Sequence, residues 1–158
     1  MEYRGRAQCL VVRDNKILMV KHCHDGEEYY CLPGGGIEKG ETPEQATVRE
    51  LQEECLVTGK IIKKTSEWAD PFDENSFAYT FQIDIGDQIP ALGYDPEFTK
   101  EKQILVGVQW LSLDELSEKD RAYLWSAGLV SIKQFSEELD TWSRDIRVPL
   151  KRTDTPAG

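Results

Sequence analysis

Apolar and polar residues near the start of the chain are arranged in a pattern that predicts two strands. Residues 6–13 (RAQCLVVR) and 16–23 (KILMVKHC) are rich in branched apolar side chains. Asp14 and Asn15 separate the two segments, and both residue types tolerate the backbone of a tight turn. The pattern therefore predicts a β-hairpin.

A glycine-rich segment comes before a helix whose start is clearly signalled. Residues 33–36 (PGGG) predict a loop without regular structure, where the backbone can approach a ligand closely. Thr42 supplies an N-cap hydroxyl, Pro43 suits the first helical position, and Gln45 completes a capping box. These signals predict a helix over residues 43–55.

The predicted helix has two unlike faces. At about 100° per residue, one side carries Val48, Leu51 and Cys55. The opposite side carries Arg49, Glu50, Glu53 and Glu54. Three carboxylates within about one turn repel one another, and such a group is more often a solvated acidic face than a site. The preceding glycines, and an arginine able to orient Glu41 or Glu53, favour a metal-binding platform.

The rest of the chain predicts further strands, a long loop and two helical regions. Strands are predicted over residues 60–67, 76–85 and 104–111, a short helix from 112, and one helix over 121–142 that is open to interruption near Gly128. The connection over 86–102 exceeds the usual length for a loop, which indicates a functional or mobile segment.

Composition and charge limit the class of protein. A length of 158 residues suits one domain, expected over 1–148, and the segment 149–158 is expected to be a disordered tail. The formal net charge of -10 argues against binding a nucleic acid polymer through its phosphates. No apolar run approaches the ~20 residues that span a bilayer, and no secretory signal is evident, so we expect no membrane contact and a cytoplasmic location.

The four cysteines, Cys9, Cys23, Cys31 and Cys55, form no C-x-x-C pair and are expected to be reduced thiols. His22 and His24 would share one strand face and could hold a metal together with Cys31. The alternative is a strand end whose histidines face solvent or the mouth of a pocket. The sequence favours this second interpretation.

The residues around the helix match a known family. The stretch Gly35-x5-Glu41-x7-Arg49-Glu50-Leu51-x-Glu53-Glu54 resembles the Nudix box, the signature of hydrolases acting on nucleoside diphosphates linked to another moiety. The box spans residues 35–57, and residues 110–116 (WLSLDEL) are similar to the segment that often follows the last core strand in that family. The resemblance implies an α/β Nudix fold, an α/β/α sandwich with a central mixed β-sheet and a loop-helix-loop catalytic motif.

The resemblance also implies roles for individual residues. The expected ligands of Mg²⁺ or Mn²⁺ are Glu50, Glu53, Glu54 and the backbone carbonyl of Gly34. Arg49 would orient the glutamates, and Glu53 or Glu54 would help to activate water. A further glutamate often comes from a loop outside the box, and the candidates here are Glu97 and Glu101, each of which could instead be a solvated loop charge.

Evidence on the substrate is thinner. The aromatic residues in or near loops that could stack on a base are Trp68, Phe72, Tyr94 and Phe98, although packing is the more common role of such residues. One position departs from the family pattern, because Leu56 stands where glycine is usual. This departure puts the end of the helix in doubt but removes no ligand.

Three hypotheses for function follow. The favoured one is a metal-dependent hydrolase that cleaves a phosphoanhydride bond in a nucleoside triphosphate, an oxidised nucleotide or a nucleotide sugar such as ADP-ribose. The second is a catalytically silent Nudix-fold module that senses a metabolite, and the third is an interaction protein with an acidic helix face. The long loop and the C-terminal helix leave room for a homodimer.

Overall fold

A computed structural model describes residues 5–142 of the chain, with side chains as far as Glu137. In chain order the described elements are β1 Arg6–Leu10, β2 Val12–Arg13, β3 Lys16–His24, β4 Glu27–Cys31, β5 Gly34–Gly36, α1 Pro43–Cys55, β6 Lys60–Asp70, β7 Asp73–Asp84, β8 Leu105–Leu111, α2 Glu118–Ser126 and α3 Lys133–Trp142. Short 3-10 turns occupy residues 100–102, 113–115 and 129–131. The predicted disordered tail, 149–158, lies outside the described residues.

The strands form two four-stranded sheets. The first has the order β5-β1-β7-β6 and is mixed, because β1 runs parallel to β7 while its other pairs are antiparallel. In the second sheet, β3 pairs in antiparallel fashion with β2, β4 and β8. The predicted first strand is split at Val11, so that β1 lies in one sheet and β2 in the other. Asp14 and Asn15, with φ of 51° and 60°, form the predicted turn between β2 and β3.

Helices cover this strand layer on both sides. On one side, Ala46 of α1 packs against Ala7 of β1, and Leu51 joins a cluster with the neighbouring strands. On the other side, Leu124 of α2 and Phe135 of α3 are fully buried against a second cluster. The arrangement is the predicted α/β/α sandwich. Within the described part of the chain, no helix is long and apolar enough to cross a membrane.

The prediction that residues 33–36 lack regular structure is wrong, because Gly34–Gly36 form β5. This strand pairs with β1, and the close approach of the β1 backbone requires glycine at Gly34. A Cβ atom on Gly34 would lie 2.4 Å from the carbonyl oxygen of Ala7. The glycine run is therefore a strand, and at Gly34 its partner strand leaves no room for a side chain.

The helix predicted over 121–142 is interrupted near Gly128, as the sequence left open. Gly128 has φ of 92°, and a Cβ atom there would lie 2.1 Å from the carbonyl oxygen of Thr65. The chain turns at this glycine because it packs directly on the backbone of β6, which separates α2 from α3. The β6–β7 hairpin extends further than predicted, to Asp70 and Asp73, so that Trp68 lies in a strand.

The end of α1 is regular despite the departure at Leu56. Leu56 adopts the left-handed conformation, with φ of 56° and ψ of 35°, and its N–H donates to the carbonyl of Gln52. A leucine thus takes the backbone conformation that glycine usually supplies after a helix, at a cost of about 1–2 kcal/mol. The start of the helix carries the predicted capping box between Thr42 and Gln45.

Candidate active site

The glycine strand β5 lies directly against two glutamates of α1. The N–H of Gly34 donates to Glu54 Oε1 at 2.7 Å. A Cβ atom on Gly35 would lie 2.4 Å from Glu50 Oε1, so the carboxylate fills the space that a side chain would need. Glu50 and Glu54 are only 9% and 3% exposed. These glutamates are therefore not part of a solvated acidic face.

Arg49 links Glu41, which precedes α1, to Glu50 and Glu53 within the helix. Its Nε and Nη2 donate to the two carboxylate oxygens of Glu41 at 2.7 and 3.0 Å, a bidentate pair. Its Nη1 donates to Glu50 Oε1 at 3.0 Å and to Glu53 Oε2 at 3.2 Å. Nη2 also donates to the carbonyl of Gly36 at 2.9 Å. One guanidinium thereby fixes two acidic residues of α1 relative to the preceding loop and to β5.

Burial and mutual repulsion perturb these carboxyl groups. The pKa of Glu50 is raised to about 7, first because the group is buried and second because Glu54 lies nearby, while Arg49 opposes the shift. Burial also raises the pKa of Glu53, against the effect of Arg49. By contrast, the hydrogen bonds from Arg49 lower the pKa of Glu41. The protein therefore supplies too little positive charge to neutralise Glu50 and Glu53, whereas Arg49 neutralises Glu41.

This donor set fits a hard divalent cation. Glu50, Glu53 and Glu54 offer only oxygen atoms, and their buried negative charge is the kind that Mg²⁺ or Mn²⁺ neutralises. Among the residues that the structure describes, no group of three or more His, Cys, Asp or Glu side chains converges as a complete ligand set. Glu50 and Glu53 instead accept hydrogen bonds from Arg49 Nη1.

Glu50 and Glu54, but not Glu53, line a cleft of about 660 Å³. Its wall includes Trp68 of β6 and Glu97 of the long loop, two residues that the sequence suggested for the substrate. Phe72 and Glu101 lie outside the lining: Phe72 is 96% exposed at the β6–β7 turn, and Glu101 belongs to the exposed 3-10 turn. Phe98 also lines the cleft, and its carbonyl accepts a hydrogen bond from the Tyr94 hydroxyl at 2.8 Å.

The structure adds residues to the cleft that the sequence did not indicate. Asp95 lines it, and its charge contributes to the raised pKa of Glu53. Arg6 of β1 is the only lysine or arginine among the described residues that line the cleft. Both come from segments distant from the helix in sequence, and no local pattern marks them. Only the fold brings them to the cleft that Glu50 also lines.

The two histidines of β3 have different surroundings. His22 Nδ1 lies 3.0 Å from Cys31 Sγ, and His22 Nε2 lies 3.9 Å from Glu54 Oε2. These neighbours, Cys31 first, raise the pKa of His22 to about 9. His24 instead faces solvent next to Asp25. The structure therefore does not support the metal site of two histidines and a cysteine, and all four cysteines are free.

The helix, the glycine strand and the arginine-linked glutamates together have the form that the sequence motif implies. The family model for the NUDIX domain matches residues 3–131. The chain belongs to the Nudix hydrolase family. The Nudix box thus comprises β5, the loop after it, α1 and the left-handed residue that ends the helix.

Several curated Nudix relatives share part of this chain. The NAD-capped RNA hydrolase NudC of Photorhabdus laumondii is 30% identical over 118 residues, which cover 72% of this chain and 42% of the relative. The ADP-ribose pyrophosphatase of Methanocaldococcus jannaschii is 36% identical over 63 residues, 39% of this chain and 37% of the relative. The chain thus spans about two fifths of the length of these relatives.

Solved structures share the fold. A MutT protein from Methanosarcina mazei superposes with a TM-score of 0.61 and 17% identity, covering 86% of this chain and 94% of that one. A MutT Nudix hydrolase from Burkholderia pseudomallei has a TM-score of 0.58 at 22% identity, covering 80% of this chain and 98% of that one. At such low identity the likeness establishes the Nudix fold alone.

Proposed function

We propose that this Nudix protein is a divalent-metal-dependent hydrolase that cleaves a phosphoanhydride bond in a nucleoside diphosphate linked to another moiety. One observation carries the proposal. Arg49 holds Glu50 and Glu53, while Glu54 accepts from the N–H of Gly34 in the glycine strand. Glu50 and Glu54 line a cleft large enough for a small nucleotide-like molecule.

The chain's own residues would hold the metal and the reacting groups in place. Glu50, Glu53, Glu54 and the backbone of Gly34 are the proposed ligands, and Arg49 keeps the glutamates oriented when no metal is bound. Bound Mg²⁺ or Mn²⁺ would lower the pKa of water and neutralise charge on the diphosphate. The carboxylates alone would repel such a substrate.

The proposed reaction is an in-line displacement at phosphorus. The oxygen of a water molecule forms a bond to one phosphorus as the bond from that phosphorus to the bridging oxygen breaks. The bridging oxygen leaves with the second phosphate, and the proton of the water passes to a glutamate, for which we favour Glu53. Glu53 is the most exposed of the three carboxylates, with 27% of its side chain accessible, whereas Glu54 is committed to Gly34.

The names of the relatives point to substrates in which a diphosphate joins a nucleoside to something else. NAD-capped RNA and ADP-ribose, named for two relatives, both contain such a linkage. The net charge of -10 and the single arginine among the cleft's described residues argue against a long polyanion and favour a small molecule. We therefore propose nucleotide sugars, dinucleotides and nucleoside triphosphates as the substrate classes to test first.

A panel of these compounds tests the proposal directly. Phosphate and nucleoside-monophosphate release would be measured with Mg²⁺ or Mn²⁺ for the wild type, Glu53→Gln and Glu44→Gln. Glu44 lies in the first turn of the same helix, is exposed and is not a proposed ligand, so its variant controls for loss of a helical charge. Products from the wild type and from Glu44→Gln, with none from Glu53→Gln, would support the enzyme and identify its substrate class.

The panel should also include NAD-capped RNA and RNA with a 5′-terminal polyphosphate, because curated relatives are named NAD-capped RNA hydrolase and RNA pyrophosphohydrolase. Turnover that persists in Glu53→Gln or after metal removal would contradict the mechanism. Ligand binding by the wild type without any product would favour the silent sensing module.

A homodimer also stays a prediction, for which the exposed Ile89 and Leu92 of the long loop offer apolar surface. Sedimentation of a monomer at all concentrations would exclude it.

A further inference from the structure

The long loop between β7 and β8 is attached to the end of the catalytic helix by its backbone. Residues 91–94 of this loop, which we call the clamp, make three hydrogen bonds to the last residues of α1. These bonds run from Tyr94 N–H to Glu53 O at 2.8 Å, from Gly93 N–H to Glu54 O at 2.8 Å, and from Ala91 N–H to Cys55 O at 2.9 Å.

The helix end depends on these bonds for its hydrogen-bond partners. The last four carbonyl groups of an α-helix have no partner within the helix. The last turn of α1 has no basic side chain that could serve them, and the N–H of Leu56 satisfies only Gln52. The clamp, a distant segment of the same chain, therefore supplies the hydrogen-bond donors that the helix lacks at its end.

Gly93 allows the two backbones to come this close. A Cβ atom on Gly93 would lie 1.8 Å from the carbonyl oxygen of Glu53 and 2.8 Å from its carbonyl carbon. Both are backbone atoms, so no change of side-chain rotamer can relieve the overlap. Any larger residue must move either the loop or the last turn of the helix.

The rest of the loop is braced against such movement. The side-chain amide of Gln103 accepts from the N–H of Asp95 at 2.9 Å and donates to the carbonyl oxygens of Asp95 and Phe98 at 2.7 and 2.8 Å. Asp95, which follows the clamp directly, and Phe98 both line the cleft. A shift of the clamp would therefore be transmitted to the cleft wall as well as to the helix.

We propose that Gly93 is a positioning residue for the metal-binding glutamates. The inference rests on the proposed function, because it concerns the residues assigned there as ligands. The clamp holds the carbonyls of Glu53 and Glu54, and the side chains of the same two residues carry the chemistry. Displacing the helix end displaces two ligands at once, and metal affinity falls when the groups that orient the ligands are lost, typically by 10–100-fold.

Manganese binding tests the proposal without using activity. Free Mn²⁺ would be measured by electron paramagnetic resonance in titrations of the wild type, Gly93→Ala and Gly107→Ala. Gly107 is the matched control, because a Cβ atom there would lie an ordinary 3.4 Å from Lys21 Cβ. Each variant would be titrated at a temperature where circular dichroism shows it folded. We expect the Kd for Mn²⁺ to rise about tenfold or more in Gly93→Ala alone.

The outcomes separate this inference from the proposed function. An unchanged Kd in folded Gly93→Ala would overturn the positioning role while leaving the metal site intact. A wild type that binds no Mn²⁺ would overturn both. If Gly93→Ala does not fold, hydrogen exchange of the wild type decides, because coupling between the sites is reciprocal. Added Mg²⁺ should slow exchange of the Gly93 and Tyr94 amides, and unaltered exchange there would refute the proposal.

Discussion

Arg49 binds both carboxylate oxygens of Glu41, at 2.7 and 3.0 Å, across the loop that precedes α1. The side chains of Glu41 and Arg49 are 14% and 23% exposed, so solvent screens the pair only in part. The same guanidinium contacts Glu50 and Glu53, and the pair therefore links the start of the box to the proposed ligands. Its bidentate geometry fixes the arginine's direction as well as its position.

We predict that Glu41→Gln lowers the free energy of unfolding by about 1–3 kcal/mol at pH 7, because it removes one partner of a largely buried ion pair. The pKa of Glu41 is lowered in the folded protein, so its contribution is complete above the unfolded value of 4.5 and is lost as the pH falls through the folded value. Urea unfolding at several pH values between 7 and 3 would measure both effects.

Glu74→Gln is the control for this comparison, since Glu74 lies on an exposed part of β7. Its stability should match the wild type within about 0.5 kcal/mol at each pH. The difference between Glu41→Gln and the wild type should shrink below pH 4.5. A difference that stays constant down to pH 3 would show that the bond to Arg49 does not depend on the carboxylate charge.

A second prediction concerns Glu50, whose charge should destabilise the metal-free protein but should be needed to bind the metal. In the metal-free protein at pH 8, Glu50→Gln should raise the free energy of unfolding by about 1–2 kcal/mol, because it removes a buried carboxylate repelled by Glu54. The pKa of Glu50 is raised to about 7, so its charge costs more stability as the pH rises from 4.5 to 7. The advantage of the variant should therefore be absent at pH 4.

Thermal unfolding with EDTA and then with excess Mg²⁺ would test both halves of this prediction. Mg²⁺ should raise the Tm of the wild type, as any ligand specific to the folded state does, and raise that of Glu50→Gln much less. Glu74→Gln again serves as the control and should respond like the wild type. A Glu50→Gln variant that is less stable than the wild type in EDTA would contradict the inference that the charge of Glu50 destabilises the metal-free protein.

The elements that the sequence predicted correctly are those with local causes. The capping box at Thr42 and the turn at Asp14-Asn15 act within a few residues, and both appear as expected. The strand at Gly34–Gly36 could not be predicted, because it forms by pairing with β1, a strand distant in sequence, and Gly34 lies against the backbone of that strand. The sequence left open an interruption near Gly128 but not its cause, because the backbone that requires glycine there belongs to Thr65.

The candidate site divides in the same way. The helix spacing predicted that Glu50, Glu53 and Glu54 lie close together, but not that two of them are buried. Burial comes from β5, whose position depends on pairing with a strand near the start of the chain. Asp95 reaches the cleft through the long loop, which carries no periodic pattern. Contacts of this kind between distant segments cannot be read from spacing alone.

The third prediction concerns Leu56, which adopts φ of 56° at the end of α1. Glycine reaches this conformation without strain, so Leu56→Gly should raise the free energy of unfolding. The control is Leu56→Ala, which removes the same half-exposed side chain but keeps a Cβ atom in the left-handed region. We expect the glycine variant to be about 1 kcal/mol more stable than the alanine variant in urea unfolding. Equal stability of the two would show that the helix end is not strained.

The same variant distinguishes an enzyme from a sensing module. Leu56 already has the backbone conformation that glycine would take, and its substitution changes no proposed ligand. Leu56→Gly should therefore turn over the best substrate of the panel at the wild-type rate. Turnover that appears in Leu56→Gly but not in the wild type would mean that the leucine silences the site, and the sensing module would then be the better account. Because Glu54 directly precedes the last helical residue, even a small shift of the helix end would change this rate.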